Sequence, residues 1–247
     1  MAFAKWESFL ENHIEGFFNR KFQSALEPIE VAKKLERSLK KSAHKVRGLL
    51  LYPNVSQICM GAEDYQRLSA QRFIEDLYLL AEKQTILANA FMDHRLSISL
   101  LKEEKLSLGS CTVRSYFEAE AHEEGMPAGE HTIVLERPSL HAPLNLPPER
   151  RIASLTAVEG EDMDSYLPFG ERTIYIGRRE RNDFILTDRN ASRLHASIHY
   201  ARHRHFVQDE ESLNGTFVNG QRVESACLLP GDEIQVGNTV LLYEVMP

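Results

Sequence analysis

The chain has 247 residues and a formal net charge of −7, with 29 Lys and Arg against 36 Asp and Glu. At roughly 150 residues per domain this is one to two domains, and the acidic balance argues against a general nucleic-acid coat, which needs a basic surface to displace counterions. Apolar residues at 43% and charged residues at 26% describe a folded chain, and no apolar run approaches the ~18 residues that span a bilayer.

Trp6, Phe9, Leu10, His13, Ile14, Phe17 and Phe18 recur at helical spacing and predict a first helix. Pro28 opens a second, as proline does at a first turn, with Ile29, Val31, Ala32, Leu35 and Leu39 as its apolar positions. Val55 to Met60 alternate as a short strand. A long helix is expected from about Glu63 to Ala88, with Tyr65, Leu68, Phe73, Leu77 and Leu80 on one side. Leu96, Ile98 and Leu100 alternate with serines as a strand, and a partner strand is expected over Gly109 to Glu118. Residues 1–136 therefore read as an α+β domain.

Basic residue type then changes. All ten Lys lie at or before Lys105, whereas eleven Arg and no Lys follow from Pro138 onward. Residues 137–150 hold four prolines, which remove backbone donors and restrict their neighbours, so the segment reads as an extended Pro-rich linker. Beyond it the period shortens. Ile152–Val158, Arg172–Gly177, Phe184–Leu186, Ala196–Tyr200, His205–Val207, Thr216–Val218, Glu233–Val236 and Val240–Val245 are short alternating runs. Turn signals such as Asn182-Asp183, Asn214-Gly215, Asn219-Gly220 and Gly237-Asn238 separate them. Residues 151–247 therefore read as an all-β sandwich.

The chemistry concentrates where those strands end. Gly177-Arg178, Ser192-Arg193-Leu194-His195 and Ser212-Leu213-Asn214-Gly215-Thr216 fall at strand termini, which gather at the ends of a sandwich. A guanidinium, a hydroxyl and a carboxamide together suit the capture of an oxyanion on an extended peptide. Arg is a rigid fork for two phosphate oxygens. Ser donates without charge, and Asn both donates and accepts, matching a peptide group.

The order Gly177-Arg178, Asn182-Asp183-Phe184-Ile185-Leu186, Ser192-Arg193-x-His195-Ala196, Asp209-x-x-Ser212-x-Asn214-Gly215-Thr216-Phe217-Val218-Asn219-Gly220 and Gly231-Asp232-x-Ile234-x-Val236-Gly237 resembles a forkhead-associated (FHA) domain. The resemblance implies a phosphothreonine-peptide reader on a sandwich of about 11 strands. By position it implies that Arg178 and Ser192 bind the phosphate, that Arg193 adds a second cationic contact or flanks it, and that Asn214 clamps the peptide backbone. Gly177, His195, Gly215, Thr216 and Asn219 would support the site. The family often has Thr or Ser where Leu213 stands, so one hydroxyl contact is missing. In the first half, Trp6-Glu-Ser-Phe-Leu-Glu, Phe17-Phe18, Pro28-Ile-Glu-Val-Ala-Lys-Lys-Leu and Tyr52-Pro-Asn-Val resemble the N-terminal domain of bacterial FhaA-type proteins. Together the two imply a scaffold in serine/threonine-kinase signalling, linked to cell-wall growth or division. The implied partners are a phosphothreonine-containing protein and a Ser/Thr protein kinase. A membrane-protein cytoplasmic tail would dock on the first domain. No nucleic-acid partner, cofactor or metal is expected.

Two rival readings bear on the same residues. His195, His199, His203 and His205 cluster densely, which raises a metal-dependent phosphoesterase using the His-rich hairpin. No P-loop, HExxH or nucleophile-elbow pattern accompanies them, so the expected reading is a non-enzyme with a solvent-facing hairpin. The run Lys33, Lys34, Arg37, Lys40, Lys41, Lys45 and Arg47 reads first as a solvated helix face. The early charges Glu7, Glu11, His13 and Glu15 leave no signal-peptide core. Cys59, Cys111 and Cys227 fit no disulfide framework. The expected location is cytoplasmic, with recruitment to the inner face of the membrane.

Overall fold

The computed structural model describes residues 25–118 and 150–246. The first-helix residues Trp6 to Phe18 and the prolines of the linker lie outside them. Contacts group the described residues into two compact units, residues 25–84 with 92–118, and residues 85–91 with 150–246.

In the first unit, helix α1 (Pro28–Lys41) begins at the expected proline and buries Val31, Ala32, Leu35 and Leu39. Lys33, Arg37, Lys40 and Lys41 are exposed, as a solvated face requires. Strands β1 (His44–Val46) and β2 (Leu49–Leu51) form a hairpin around Arg47 and Gly48, both at positive φ. Strand β3 (Val55–Met60) buries Ser56, Ile58 and Met60. The long helix expected from Glu63 to Ala88 is two helices, α2 (Ala62–Leu68) and α3 (Gln71–Leu87). The break at Ser69 and Ala70 leaves the apolar positions in step, so periodicity hides it. The short helix also carries a fully buried Asp64, whose carboxylate accepts from the Leu26 and Gly109 amides and from Arg67.

Strand β4 (Ala90–Phe91), whose residues group with the second unit, precedes β5 (Ser97–Lys102) and β6 (Cys111–Tyr116). The sheet order is β5-β3-β6. The strand over 111–116 therefore pairs with β3, antiparallel, and not with β5 as its sequence position suggested. Strand β5 lies parallel to β3, which needs a crossover, and α2 and α3 supply it.

Residues 150–246 of the second unit form a sandwich of eleven strands. One sheet has the order β10-β9-β11-β12-β15 and the other β14-β13-β16-β17-β7-β8. Their ranges are β7 (Ala153–Glu159), β8 (Tyr166–Phe169), β9 (Ile174–Gly177), β10 (Phe184–Ile185), β11 (Ala196–Ala201) and β12 (Arg204–Asp209). They continue with β13 (Thr216–Val218), β14 (Gln221–Val223), β15 (Ser225–Cys227), β16 (Glu233–Val236) and β17 (Thr239–Val245). Leu155, Ile176, Ile198, Val207, Ile234, Leu241 and Tyr243 close the core between the sheets. Three strands escape the sequence pattern, β8, β14 and β15, and all three are edge strands. Edge strands are short and only partly covered, so alternation is weak, and Pro168 in β8 is tolerated there.

Candidate functional site

Three loops meet at one end of the sandwich: those after β9, before β11 and before β13. Gly177 closes β9 at φ +149°, and a Cβ there would stand 2.7 Å from the Ser192 carbonyl oxygen. Only glycine lets the first two loops touch. They are then tied by main-chain bonds, Arg178 N to Ser192 O and Arg179 N to Arg193 O, both 3.1 Å. The Asn182 side chain adds a bond to the Arg193 carbonyl at 2.9 Å.

His195 is wholly buried behind these loops. Its Nδ1 accepts the Ser192 amide at 2.9 Å, so Nε2 carries the proton and donates to the Gly215 carbonyl at 3.1 Å. One imidazole thus joins the second loop to the third. Burial pushes its pKa below the ordinary histidine value, which keeps Nδ1 free to accept. Asp209 organises the third loop. Its Oδ1 accepts both the Ser212 and the Thr216 hydroxyls at 2.6 Å. Burial raises the Asp209 carboxyl, but those hydrogen bonds outweigh it and hold the group below its usual value.

Arg178, Ser192, Arg193 and Asn214 line one open cavity of about 700 Å³. Each of three of them spends part of its hydrogen-bonding capacity on the scaffold and keeps the rest. Arg178 Nε donates to the Ala191 carbonyl at 2.9 Å, leaving its two terminal nitrogens. Ser192 Oγ accepts the Leu213 amide at 3.0 Å, leaving its hydrogen to donate. Asn214 Nδ2 donates to the Asn190 carbonyl at 2.8 Å, leaving Oδ1 to accept. The arrangement presents donors for an oxyanion and an acceptor for a peptide N–H. Leu213 reaches Ser192 through its main chain, and the residue is 88% exposed at the rim.

Gly177, His195, Gly215 and Thr216 lie in or behind this loop cluster. Asn219 is not brought there: it stands beyond the far end of β13, where its side chain bonds Asp232 and the Glu233 amide. Sequence reasoning missed Asn182 and Asn190 as braces. The Asn182-Asp183 pair reads as a turn, and nothing local marks a carbonyl such as that of Asn190.

The His-rich hairpin is not solvent-facing as expected, since His203 and His205 are buried, and it is built differently from a metal centre. His205 Nε2 donates to the Gly170 carbonyl and Nδ1 accepts the Tyr243 hydroxyl, both at 2.8 Å. Burial pushes the His205 pKa down to about 4 and the Tyr243 phenol up, so neutral imidazole and protonated phenol match. His199 stacks on Phe206 at 5.5 Å. Among the described residues no group of three or more His, Cys, Asp or Glu is placed to hold a metal ion, and none of their helices is long and apolar enough to cross a membrane.

A family model for the FhaA N-terminal domain matches residues 3–114, and one for the FHA domain matches residues 174–237. The chain belongs to the FhaA-type FHA-domain proteins. The chain is similar to the glycogen accumulation regulator GarA of Mycolicibacterium smegmatis, 31% identical over 124 residues that are 50% of this chain and 65% of that one. It is also similar to the oxoglutarate dehydrogenase inhibitor of Corynebacterium efficiens, 34% identical over 38% of this chain and 67% of the relative. The chain thus spans about two thirds of the length of these two relatives. A solved FhaA FHA domain, complexed with the intracellular domain of Rv3910, is 28% identical and covers 37% of this chain and 99% of that one at a TM-score of 0.35.

Proposed function

We propose that this chain is a non-catalytic, phosphothreonine-dependent adaptor in bacterial serine/threonine-kinase signalling. The unspent donors of Arg178 and Ser192 beside the unspent acceptor of Asn214, in one cavity, are the observation that carries the reading. A phosphorylated threonine presents about −1.5 to −2 charges. The Arg178 terminal nitrogens meet two of its oxygens, the Ser192 hydroxyl a third, and Arg193 flanks them. Asn214 Oδ1 accepts an N–H of the peptide backbone beside the phosphothreonine. The names of the related proteins, a regulator and an inhibitor, agree with a protein that acts by binding.

In this reading residues 1–136 and 151–247 are separate modules on the linker 137–150. The first docks a second protein, such as the cytoplasmic tail of a membrane protein, and so recruits the chain from the cytoplasm to the membrane's inner face during cell-wall growth or division. Two modules on one chain raise the effective concentration of a bivalent partner. Titration of the full chain with matched phosphothreonine and threonine peptides tests the central claim. Equal affinity for the two, or unchanged affinity in Arg178→Ala, would refute it.

A further inference from the structure

The first unit carries an exposed basic surface that phosphopeptide binding leaves unused. Residues 33–47 hold seven Lys and Arg against one Glu, a net charge of +6 in a chain of −7. Two of the seven are engaged: Lys34 Nζ donates to the Cys111 carbonyl at 2.8 Å, and Lys40 pairs with Glu36 at 2.6 Å. The other five, Lys33, Arg37, Lys41, Lys45 and Arg47, are exposed and make no ion pair among the described residues. They run from the solvent side of α1 into the β1–β2 hairpin that follows it. A solvated face accounts for the helix part alone.

The hairpin adds what a solvated face lacks. Every residue from His44 to Leu49 is exposed. Val46 and Leu49 stand opposite each other beside the turn, 47% and 40% exposed, so two aliphatic side chains share one face of the tip. Arg47 and Gly48 turn the chain at φ +49° and +85°, the pattern of a type I′ turn, whose first position favours Asn, Asp or Gly. Arg47 therefore holds a cation at the apex where another residue would adopt that backbone at less cost. Lysine on an edge strand such as β1 blunts pairing with other chains, but that role does not call for apolar residues at the tip. At the base of the hairpin the His44 ring stacks on Phe117 at 4.9 Å.

We propose that the β1–β2 hairpin and the basic face of α1 form a docking surface for an anionic phospholipid bilayer. Val46 and Leu49 enter the boundary between headgroups and acyl chains, while Arg37, Lys41, Lys45 and Arg47 meet the lipid phosphates. The mixture of side chains selects this partner. Single-stranded nucleic acid calls for rings on which bases stack, and the tip offers aliphatic groups. An acidic protein would satisfy the cations but leave the aliphatic pair in water unless it brought a matching apolar pocket. A bilayer surface takes both at once, the apolar tip into its interface and the cations onto its negative surface potential. The inference is independent of the phosphothreonine reading, and it requires no membrane-protein tail.

The test is cosedimentation of the full chain with protein-free vesicles, made of phosphatidylcholine alone or of phosphatidylcholine and phosphatidylglycerol in equal parts. Binding to the mixed vesicles should exceed binding to the neutral ones by at least about tenfold and should fall as salt is raised. At about fivefold per cation near an anionic surface, Lys45→Ala with Arg47→Ala should weaken binding about 25-fold. Val46→Ser with Leu49→Ser should weaken it about tenfold through lost apolar burial, with the salt dependence kept. All four residues are exposed, so the thermal midpoint should hold, and Arg37→Ala with Lys41→Ala repeats the charge test outside the hairpin. Equal or no binding to the two kinds of vesicle, or binding to mixed vesicles that survives either hairpin pair, overturns the inference. Capture of a polyglutamate peptide with no binding to the vesicles overturns it too and assigns the patch to an acidic protein. Each of these outcomes leaves the phosphothreonine reading intact, because soluble peptides measure that reading separately.

Discussion

Strand β13 is flanked by two Asn-Gly pairs that look alike in sequence and differ in what they keep in reserve. At one end, Asn214 donates to Asn190 and leaves its Oδ1 facing an open cavity. At the other, Asn219 sits at φ +50° and spends both halves of its carboxamide, donating to Asp232 Oδ1 at 2.8 Å and accepting the Glu233 amide at 3.0 Å. The same dipeptide thus keeps an unspent acceptor at one end and is a brace at the other. A polar side chain can recognise a ligand only with the hydrogen-bonding capacity its own fold has not consumed.

Acid should erase the difference by weakening both ends together. His205 is neutral and buried with its pKa pushed down to about 4, whereas an unfolded histidine titrates near 6.5. Between those values the unfolded chain binds a proton that the folded chain refuses, so stability is full above about pH 7 and falls as pH drops toward 4. The integrated loss from this one group is about 3 kcal/mol. His195 is shifted in the same direction and adds to it, and its protonation would also remove the acceptor of the Ser192 amide. Denaturant unfolding between pH 4 and pH 7.5 measures the slope, and a flat profile would contradict it.

The next largest effect belongs to the cavity end alone. Arg178→Ala should weaken phosphopeptide binding about 100-fold, roughly 2.7 kcal/mol by the usual conversion, with little change in the unfolding midpoint, because Arg178 is exposed. Calorimetric titration paired with thermal unfolding reads both quantities.

The two asparagines should then dissociate cleanly. Asn219→Ala removes two internal hydrogen bonds and forces a positive φ on alanine, costing about 2 kcal/mol of stability, with peptide affinity unchanged. Asn214→Ala should lower affinity about tenfold, one charge-neutral contact's worth, at a small cost in stability. If Asn219→Ala weakened binding as much as Asn214→Ala, the distinction between the two ends would be lost. The smallest effect is expected at Leu213, whose side chain is mostly exposed while its main chain serves Ser192. Leu213→Thr should change affinity less than about threefold, as a single exposed contact would, and competition binding against the parent chain would resolve it.

Much of this site could be read from residue order, because the motif residues occupy strand ends and a sandwich delivers strand ends to shared loop clusters. Arg178, Ser192 and Asn214 were placed that way. Asn182 and Asn190 were not, since one offers a side chain to a main-chain carbonyl and the other offers only its own carbonyl. Such partners depend on the path of the backbone and not on side-chain pattern. The first unit shows the same limit. Helix α1 was found from Pro28 and its apolar stripe, but the break between α2 and α3 kept the stripe in phase, and the pairing of β6 with β3 depends on a crossover whose ends are far apart in sequence.

The sequence by itself determined the two kinds of unit, the strands of the sandwich interior and the identity of the groups that could meet an oxyanion, because burial imposes periodicity and turns demand particular residues. The tertiary structure alone decided which strands stand at the edges and that Asn219 is a brace. It also decided that four arginines share one cavity in an acidic chain. Those outcomes depend on distances between residues remote in sequence, and on which hydrogen-bonding and charged groups the fold leaves unspent.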